Sequence, residues 1–272
     1  MMEDQTPRKQ VGLALSGGAA RGLAHIGVLS TLVRNRVPID CIAGCSAGAI
    51  LGATYCAGMS IRQIHALAPY INWRRLATPV KSEVGFLSFE KLERWLVMLL
   101  GDLEFSDLRL PFAVVAMDMV SGERVIIRDG RIARAIRASC SVPGIVTPVI
   151  IDGRLLGDGG VVDNLPVDVA RDLGADFVIG VDVFEPYYNR ARGPLGKGLT
   201  ALETLVRNSG GGVGRADILI APRTAGKTYV RFSHYKELVA LGEAAAESSL
   251  PYLNQHLRNW RSTQPGTLTN GG

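Results

Sequence analysis

Apolar positions along this chain follow two rhythms, short unbroken runs and longer stretches at helical spacing. Val11 to Leu15 is a run of strand length, and from Leu23 the apolar residues Ile26, Leu29, Leu32 and Val33 recur at helical spacing. Ile39 to Ala43 is a second strand-length run, followed by the helix-compatible stretch Ala47 to Cys56. This βαβα order predicts a parallel sheet, with its loops gathered at the carboxyl ends of the strands. Residues 60–70 and 88–100 fit amphipathic helices. The second has Ser88 at the N-cap position and a core-facing stripe of Phe89, Leu92, Trp95, Leu96 and Leu99. Phe112 to Met117 and Arg124 to Arg128 read as strands joined at Ser121-Gly122. A short helix then carries Arg131, Arg134 and Arg137 along one side, read as solvated.

Further on, residues 139–148 are irregular, and Val149 to Ile151 and Arg154 to Leu156 are strands around an Asp152-Gly153 turn. Val161 to Leu173 has a helical apolar face, Asp176 to Val183 is a buried strand, and Asp217 to Ala221 is a last strand. Glu237 to His256 is a helical region with a break expected near Pro251. Residues 186–200 hold Tyr187, Tyr188, Arg190, Arg192, Lys197 and several glycines, and read as a mobile loop and candidate lid. Residues 209–214 are glycine-rich and read as flexible. No linker divides the chain, so the reading is one domain over 10–260, a disordered tail over 1–9 and a flexible tail over 261–272.

The loops at the strand ends carry the candidate chemistry. Gly44-Cys45-Ser46-Ala47-Gly48 is a G-x-S-x-G pentapeptide between strand and helix, the setting in which a serine hydroxyl is held exposed at a sharp turn. The same five residues also suit a tight turn with a serine cap. Ser16-Gly17-Gly18-Ala19-Ala20-Arg21-Gly22 follows the first strand. Its glycines at 17, 18 and 22 miss the G-x-G-x-x-G spacing of a dinucleotide site, and Asp40 stands at the start of the second strand rather than its end. Successive N–H groups of Gly17, Gly18 and Ala19 instead suit an oxyanion hole, with Arg21 either adding positive potential or simply solvated. Gly157-Asp158-Gly159-Gly160 places a carboxylate in a glycine turn after a strand, a pattern that ordinary Asp-Gly turns share. Asp182 is a second carboxylate at a strand.

Composition narrows the field. The 272 residues are 47% hydrophobic and 20% charged, an ordinary globular balance, and the net charge of +5 favours anionic partners mildly. There is no dense Lys/Arg run with interleaved aromatics, which excludes nucleic acid as an expected partner. Trp73, Arg74, Arg75 and Lys81 mix an aromatic with cations in a way that suits a headgroup interface, although ordinary surface explains them as well. Cys41, Cys45, Cys56 and Cys140 lack C-x-x-C spacing and read as reduced core residues. With Glu3 and Asp4 ahead of the first apolar run, no secretory signal is expected. The reading is a cytoplasmic protein, with room for peripheral contact at the inner membrane surface. Nothing in the pattern speaks to oligomeric state, and no metal or cofactor is expected.

The Gly-rich loop, the G-x-S-x-G elbow and the later Asp-Gly-Gly, in this order, resemble the patatin-like phospholipase family in its compact bacterial form. The likeness extends through Arg137-Ala138-Ser139 with Pro143 and through Asp158 to Pro166, and covers roughly residues 10 to 255. It implies a three-layer α/β/α sandwich with a mostly parallel central sheet. It also implies a Ser–Asp dyad acting on lipid esters, with Ser46 as nucleophile, Asp158 as general base and Gly17, Gly18 and Ala19 as oxyanion donors. Arg21, Gly44, Gly48, Gly159 and Gly160 would support them. Ala19 stands where the family usually has a third glycine, and Cys45 where it usually has threonine. The change at 19 keeps a backbone donor if φ there is negative. Two alternatives stay open. One is a Ser–His–Asp esterase using His234 or His256, since His25 and His65 lie in earlier helices. The other is a non-hydrolytic nucleotide-binding regulator.

Overall fold

The computed structural model describes residues 8–185, 193–224 and 231–257. Strand β1 (Val11–Leu15) leads through a 3-10 turn over Ala19–Leu23 into α1 (Ala24–Arg34), and β2 (Cys41–Cys45) leads directly into α2 (Ala47–Cys56). Then come α3 (Ile61–Leu67), α4 (Trp73–Leu76), the two-residue strands β3 (Thr78–Pro79) and β4 (Leu87–Ser88), and α5 (Glu90–Leu100). The middle of the chain forms β5 (Phe112–Asp118), β6 (Arg124–Ile127), α6 (Ile132–Ser139), β7 (Val149–Ile151) and β8 (Arg154–Asp158). The remainder is α7 (Gly160–Asp163), α8 (Val167–Asp172), β9 (Phe177–Val181), α9 (Gly193–Asn208), β10 (Ile218–Ile220) and α10 (Tyr235–His256).

The main sheet runs β10-β9-β1-β2-β5-β8-β7, with β6 also on β5. From β10 to β5 every pairing is parallel, while β6, β7 and β8 pair antiparallel. Side chains of β1 alternate in size, and this sorts the two faces. Val11, Leu13 and Leu15 join a large core with residues of α1, α2, α5, α6 and α10. Ala14 faces a smaller core formed with Leu165, Val167, Val169 and Ala170 at α8. The result is the expected three-layer α/β/α sandwich. No helix among the described residues is long and apolar enough to cross a membrane.

Several local expectations change. Helix α5 begins at Glu90 with Phe89 as its cap, because Ser88 is drawn into pairing with Thr78; its Oγ still accepts the Glu90 N–H at 3.3 Å. Arg137 is not solvated but packed between helices, pairing with Glu93 at 2.9 Å and Glu90 at 3.7 Å. The 161–173 helix is two helices, α7 and α8, because Pro166 cannot continue the first. Residues 193–200, expected to be loop, open helix α9, with Pro194 in the first turn, where a missing N–H is tolerated. Residues 186–192 of the candidate lid lie outside the described residues, as do 1–7 and 258–272. The glycines of 209–214 form a 3-10 turn against Asp163 and Leu165, close enough that a Cβ at Gly212 would fall 1.8 Å from the Leu165 carbonyl oxygen. Helix α10 runs through Pro251 unbroken, its last turns held to the core by Leu253 and Leu257. Arg8 is tied down, with Nη1 2.7 Å from Asp40 Oδ2.

Candidate active site

The register of β5 brings the loop that holds Ser46 and the one that holds Asp158 together. One edge of β5 is shared by two strands arriving from opposite directions. β2 occupies it from Phe112 to Val115, and β8 from Ala116 to Asp118, while β6 takes the other edge. Cys45 pairs with Val115 and Asp158 with Ala116, so the ends of β2 and β8 meet head to head. Ser46 follows at φ 49°, ψ −118°, a left-handed turn that a non-glycine residue holds only when its surroundings enforce it. Here the Ser46 N–H donates to Ser139 Oγ at 2.8 Å, and the Ser139 hydroxyl donates to the Val115 carbonyl at 2.6 Å. The elbow also needs its glycines. A Cβ at Gly48 would stand 2.3 Å from the Leu15 carbonyl oxygen, and one at Gly159 2.3 Å from that of Val115.

Asp158 is only 7% exposed. Its Oδ1 accepts the Gly160 N–H at 2.8 Å and lies 3.9 Å from Cys45 Sγ, and the nearby Ser46 hydroxyl also favours the charged form. Burial disfavours the charge more than these donors favour it, so the pKa rises to about 6. Burial likewise pushes the Cys45 and Cys140 thiols up, leaving both as neutral packing groups. All four cysteines are free and buried.

The Gly-rich loop is anchored at its start. Ser16 Oγ accepts the Val183 N–H at 3.0 Å and donates to the Gly17 carbonyl at 3.0 Å. The Gly17 N–H is committed to the Asn164 carbonyl at 3.2 Å, so it is not free to bind an anion. The Gly18 and Ala19 N–H groups have no partner among the described residues. Ala19 has φ +47°, so its conformation is the left-handed one rather than the negative φ expected for a retained donor, yet its N–H is still uncommitted. Arg21 is neither solvated nor at the site. It is buried, with Nη1 2.7 Å from the Glu185 carbonyl oxygen, and it braces the loop from behind. His25 holds Ser16 too, with Nε2 2.9 Å from the Ser16 carbonyl oxygen, and burial lowers its pKa to about 4, so it is neutral at pH 7.

Ser46, Asp158, Gly17, Gly18, Ala19 and Gly160 line one cavity of about 430 Å³. Gly44, Gly48, Gly159 and Arg21 stand behind that surface. The walls are almost wholly apolar, built from Ile50, Leu51, Ile71, Leu76, Leu92, Val142, Ile145 and Val206 with Phe89, Phe184 and Phe232. Trp73 belongs to this wall rather than to ordinary surface, with its ring 5.4 Å from Phe232 and 6.2 Å from Phe89. No histidine among the described residues lines it. His234 is half-exposed beside Glu237 at 3.9 Å, and His256 stacks on Tyr252 at 3.9 Å. Asp182 is a structural carboxylate, held by Arg207 Nε at 2.7 Å and the Phe184 N–H at 2.9 Å. Asp40 is likewise occupied, by Arg8 and the Val11 N–H. No group of three His, Cys, Asp or Glu side chains among the described residues is placed to hold a metal.

Three site residues were not singled out from sequence. Ser139 fell within the stretch that resembles the family, but nothing local gave its role, because its partners lie at Ser46 and Val115. Asn164 likewise lay inside the resembling stretch Asp158 to Pro166 without a role of its own, and Glu203 left no trace in the sequence reading.

A mostly parallel sheet, a strained serine elbow and a buried aspartate in one apolar cavity define an α/β fold of the hydrolase kind. Residues 13–171 match the family model described as patatin-like phospholipase, and the chain belongs to that family. An uncharacterized NTE family protein of Mycobacterium tuberculosis is 38% identical over 177 residues, 64% of this chain and 49% of the relative. The human patatin-like phospholipase domain-containing protein 6 is 35% identical over 64% of this chain and 13% of its own length. A lysophospholipase of Aspergillus fumigatus is 32% identical over 64% of this chain and 12% of its own length. This chain thus spans half or less of these relatives. The fold is shared with VipD from Legionella pneumophila, at TM-score 0.57, 16% identity and coverage of 92% of this chain and 67% of that one. It is also shared with the ExoU–SpcU complex of Pseudomonas aeruginosa, at TM-score 0.52, 17% identity and coverage of 91% and 52%.

Proposed function

We propose that this chain is a serine acyl hydrolase that cleaves carboxylic esters of phospholipids, lysophospholipids or related lipids through a Ser46–Asp158 dyad. The observation that carries this is the meeting of Ser46 and Asp158 at one edge of β5, inside an apolar cavity suited to an acyl chain. Ser46 Oγ attacks the ester carbonyl as Asp158 takes its proton. With a pKa near 6 rather than the usual carboxylate value, Asp158 is a stronger base yet still ionised at pH 7. The Gly18 and Ala19 N–H groups stabilise the oxygen that becomes negative. The proton then passes to the leaving alcohol, and water activated by the same carboxylate releases the acyl group from Ser46. Membership of the patatin-like family and the name of the Aspergillus relative support the substrate class.

The cavity mouth suggests where the lipid comes from. Val142, Ile145 and Val161 line the cavity and are also exposed; exposed Phe86 is bonded through its N–H to the Ile145 carbonyl, and exposed Leu205 adjoins the lining residue Val206 in the chain. Arg74 and Arg75 are exposed on α4, the helix that gives Trp73 and Leu76 to the wall. An apolar rim flanked by cations suits peripheral contact with an anionic membrane surface.

A fluorophosphonate probe tests the dyad directly. It is expected to label Ser46 alone, identified by peptide mass, with fatty acid release from a lysophospholipid lost in step with labelling. Labelling elsewhere, or hydrolysis surviving complete labelling of Ser46, contradicts the reading.

A further inference from the structure

The side chain of Asn164 is the unexplained group at this site. It is 1% exposed and lines the cavity, and its Nδ2 has no hydrogen-bond partner. An unpaired buried amide is costly, so its persistence calls for a partner that arrives with substrate. The folding role of this residue is carried by its backbone instead. Its N–H donates to Ser209 Oγ at 3.0 Å and its carbonyl accepts the Gly17 N–H.

The carboxamide lies near both Ser46 and Asp158. A Cβ built on Gly17 would fall 2.7 Å from Asn164 Oδ1 and 3.3 Å from Ser46 Cβ. One built on Gly160 would fall 3.0 Å from Asp158 Oδ1 and 3.1 Å from Asn164 Oδ1. Asn164 therefore shares the space beside Gly17 with Ser46 and the space beside Gly160 with Asp158. A half-turn about Cβ–Cγ exchanges the two ends of the carboxamide and presents the NH₂ group where Oδ1 stands.

Resting on the dyad reading above, we infer that Asn164 is a catalytic residue whose side-chain amide donates to the ester oxygen as it becomes an oxyanion. As the Ser46 Oγ–carbon bond forms, the carbonyl π pair moves onto that oxygen and the hydroxyl proton goes to Asp158. Asn164 then completes a hole in which the Gly17 N–H takes no part, because the backbone of Asn164 itself has claimed it. The Gly18 and Ala19 N–H groups supply the other donors.

The test compares wild type, Asn164→Ala, the near-isosteric Asn164→Asp, which keeps the acceptors and loses the donor, and Ser46→Ala. The readouts are kcat and KM on a medium-chain nitrophenyl ester and affinity for two inhibitors. One is an alkyl trifluoromethyl ketone, which adds Ser46 to its carbonyl and carries the oxyanion; the other is the corresponding alcohol, which cannot be attacked. The inference predicts a kcat loss of about a hundredfold or more in both Asn164 variants with KM little changed. Ketone affinity falls alongside kcat, while alcohol affinity is kept. Near-wild-type kcat, or equal loss of affinity for ketone and alcohol, overturns it, and if Asn164→Ala fails to fold, Asn164→Asp alone decides. Activity surviving in Ser46→Ala overturns the dyad reading and this inference with it. An inert Ser46→Ala beside near-wild-type Asn164 variants overturns only the role of Asn164.

Discussion

Asp158 shows how one environment sets both chemistry and stability. Its pKa rises to about 6 because burial outweighs the Gly160, Ser46 and Cys45 donors. The proposed base, Asp158, must be ionised, so kcat/KM is expected to fall about tenfold per pH unit below pH 6 and to level off above it. A pH–rate profile with its acid limb near 4 instead would mean a solvated carboxylate. The stability consequence has the opposite sign. The folded state binds this proton more tightly than the unfolded chain, so between about pH 4 and 6 stability falls as pH rises, by up to about 3 kcal/mol. Asp158→Asn should therefore raise Tm at pH 7 and lose that advantage near pH 4, while abolishing turnover. Ala19 makes a second test. At φ +47° its Cβ is strained by about 1–2 kcal/mol, so Ala19→Gly should leave Tm unchanged or higher, where an ordinary Ala→Gly lowers it. A drop of several degrees would place Ala19 outside the left-handed region.

At the scale of elements, the site is made by two strands sharing one edge of β5 and by Ser139, which pins the elbow to that strand. Removing its hydroxyl leaves the Ser46 N–H and the Val115 carbonyl unpaired, about 1–3 kcal/mol for each group. Ser139→Ala is expected to lower the denaturant midpoint accordingly and to reduce kcat, as the strained serine relaxes. An unchanged midpoint would show that the elbow is held by its glycines alone. The elements themselves were legible wherever a local pattern decided them. Val11 to Leu15 reads as the strand it forms, and the run Ile39 to Ala43 reads as a strand ahead of the serine turn, which the structure places two residues later at Cys41–Cys45. The residues of the proposed dyad, Ser46 and Asp158, were visible because both sit in glycine-rich turns after apolar strands. What stayed hidden depends on partners far along the chain. Arg137 looks solvated until α5 brings Glu93 to it, and Arg21 until the Glu185 carbonyl arrives. The occupation of the Gly17 N–H needs Asn164, and helix α9 rests on a packing that its glycines disguise. Pro251 signals a helix break that Leu253 and Leu257 prevent by holding the end of α10 to the core.

For the molecule as a whole, the unequal faces of the sheet matter to function. The cavity opens among residues of the larger core, and its rim continues onto the surface as exposed apolar residues. Phe86 and Leu205 are 73% and 69% exposed and do not line the cavity, so they separate membrane contact from chemistry. Phe86→Asp with Leu205→Asp should weaken sedimentation with phosphatidylglycerol vesicles and slow hydrolysis of vesicle lipid, while a soluble nitrophenyl ester is turned over as before. Unaltered binding to vesicles would rule out this rim as the contact. The central claim, a Ser46–Asp158 dyad without a histidine, is tested most directly by ester hydrolysis with purified wild type, Ser46→Ala, Asp158→Asn, His234→Ala and His256→Ala. A medium-chain nitrophenyl ester and a lysophospholipid serve as paired substrates, and each variant's fold is checked by circular dichroism. The account predicts that turnover disappears in the Ser46 and Asp158 variants and persists in both histidine variants. Loss of turnover in a folded histidine variant, or an inert wild type on both substrates, would contradict it.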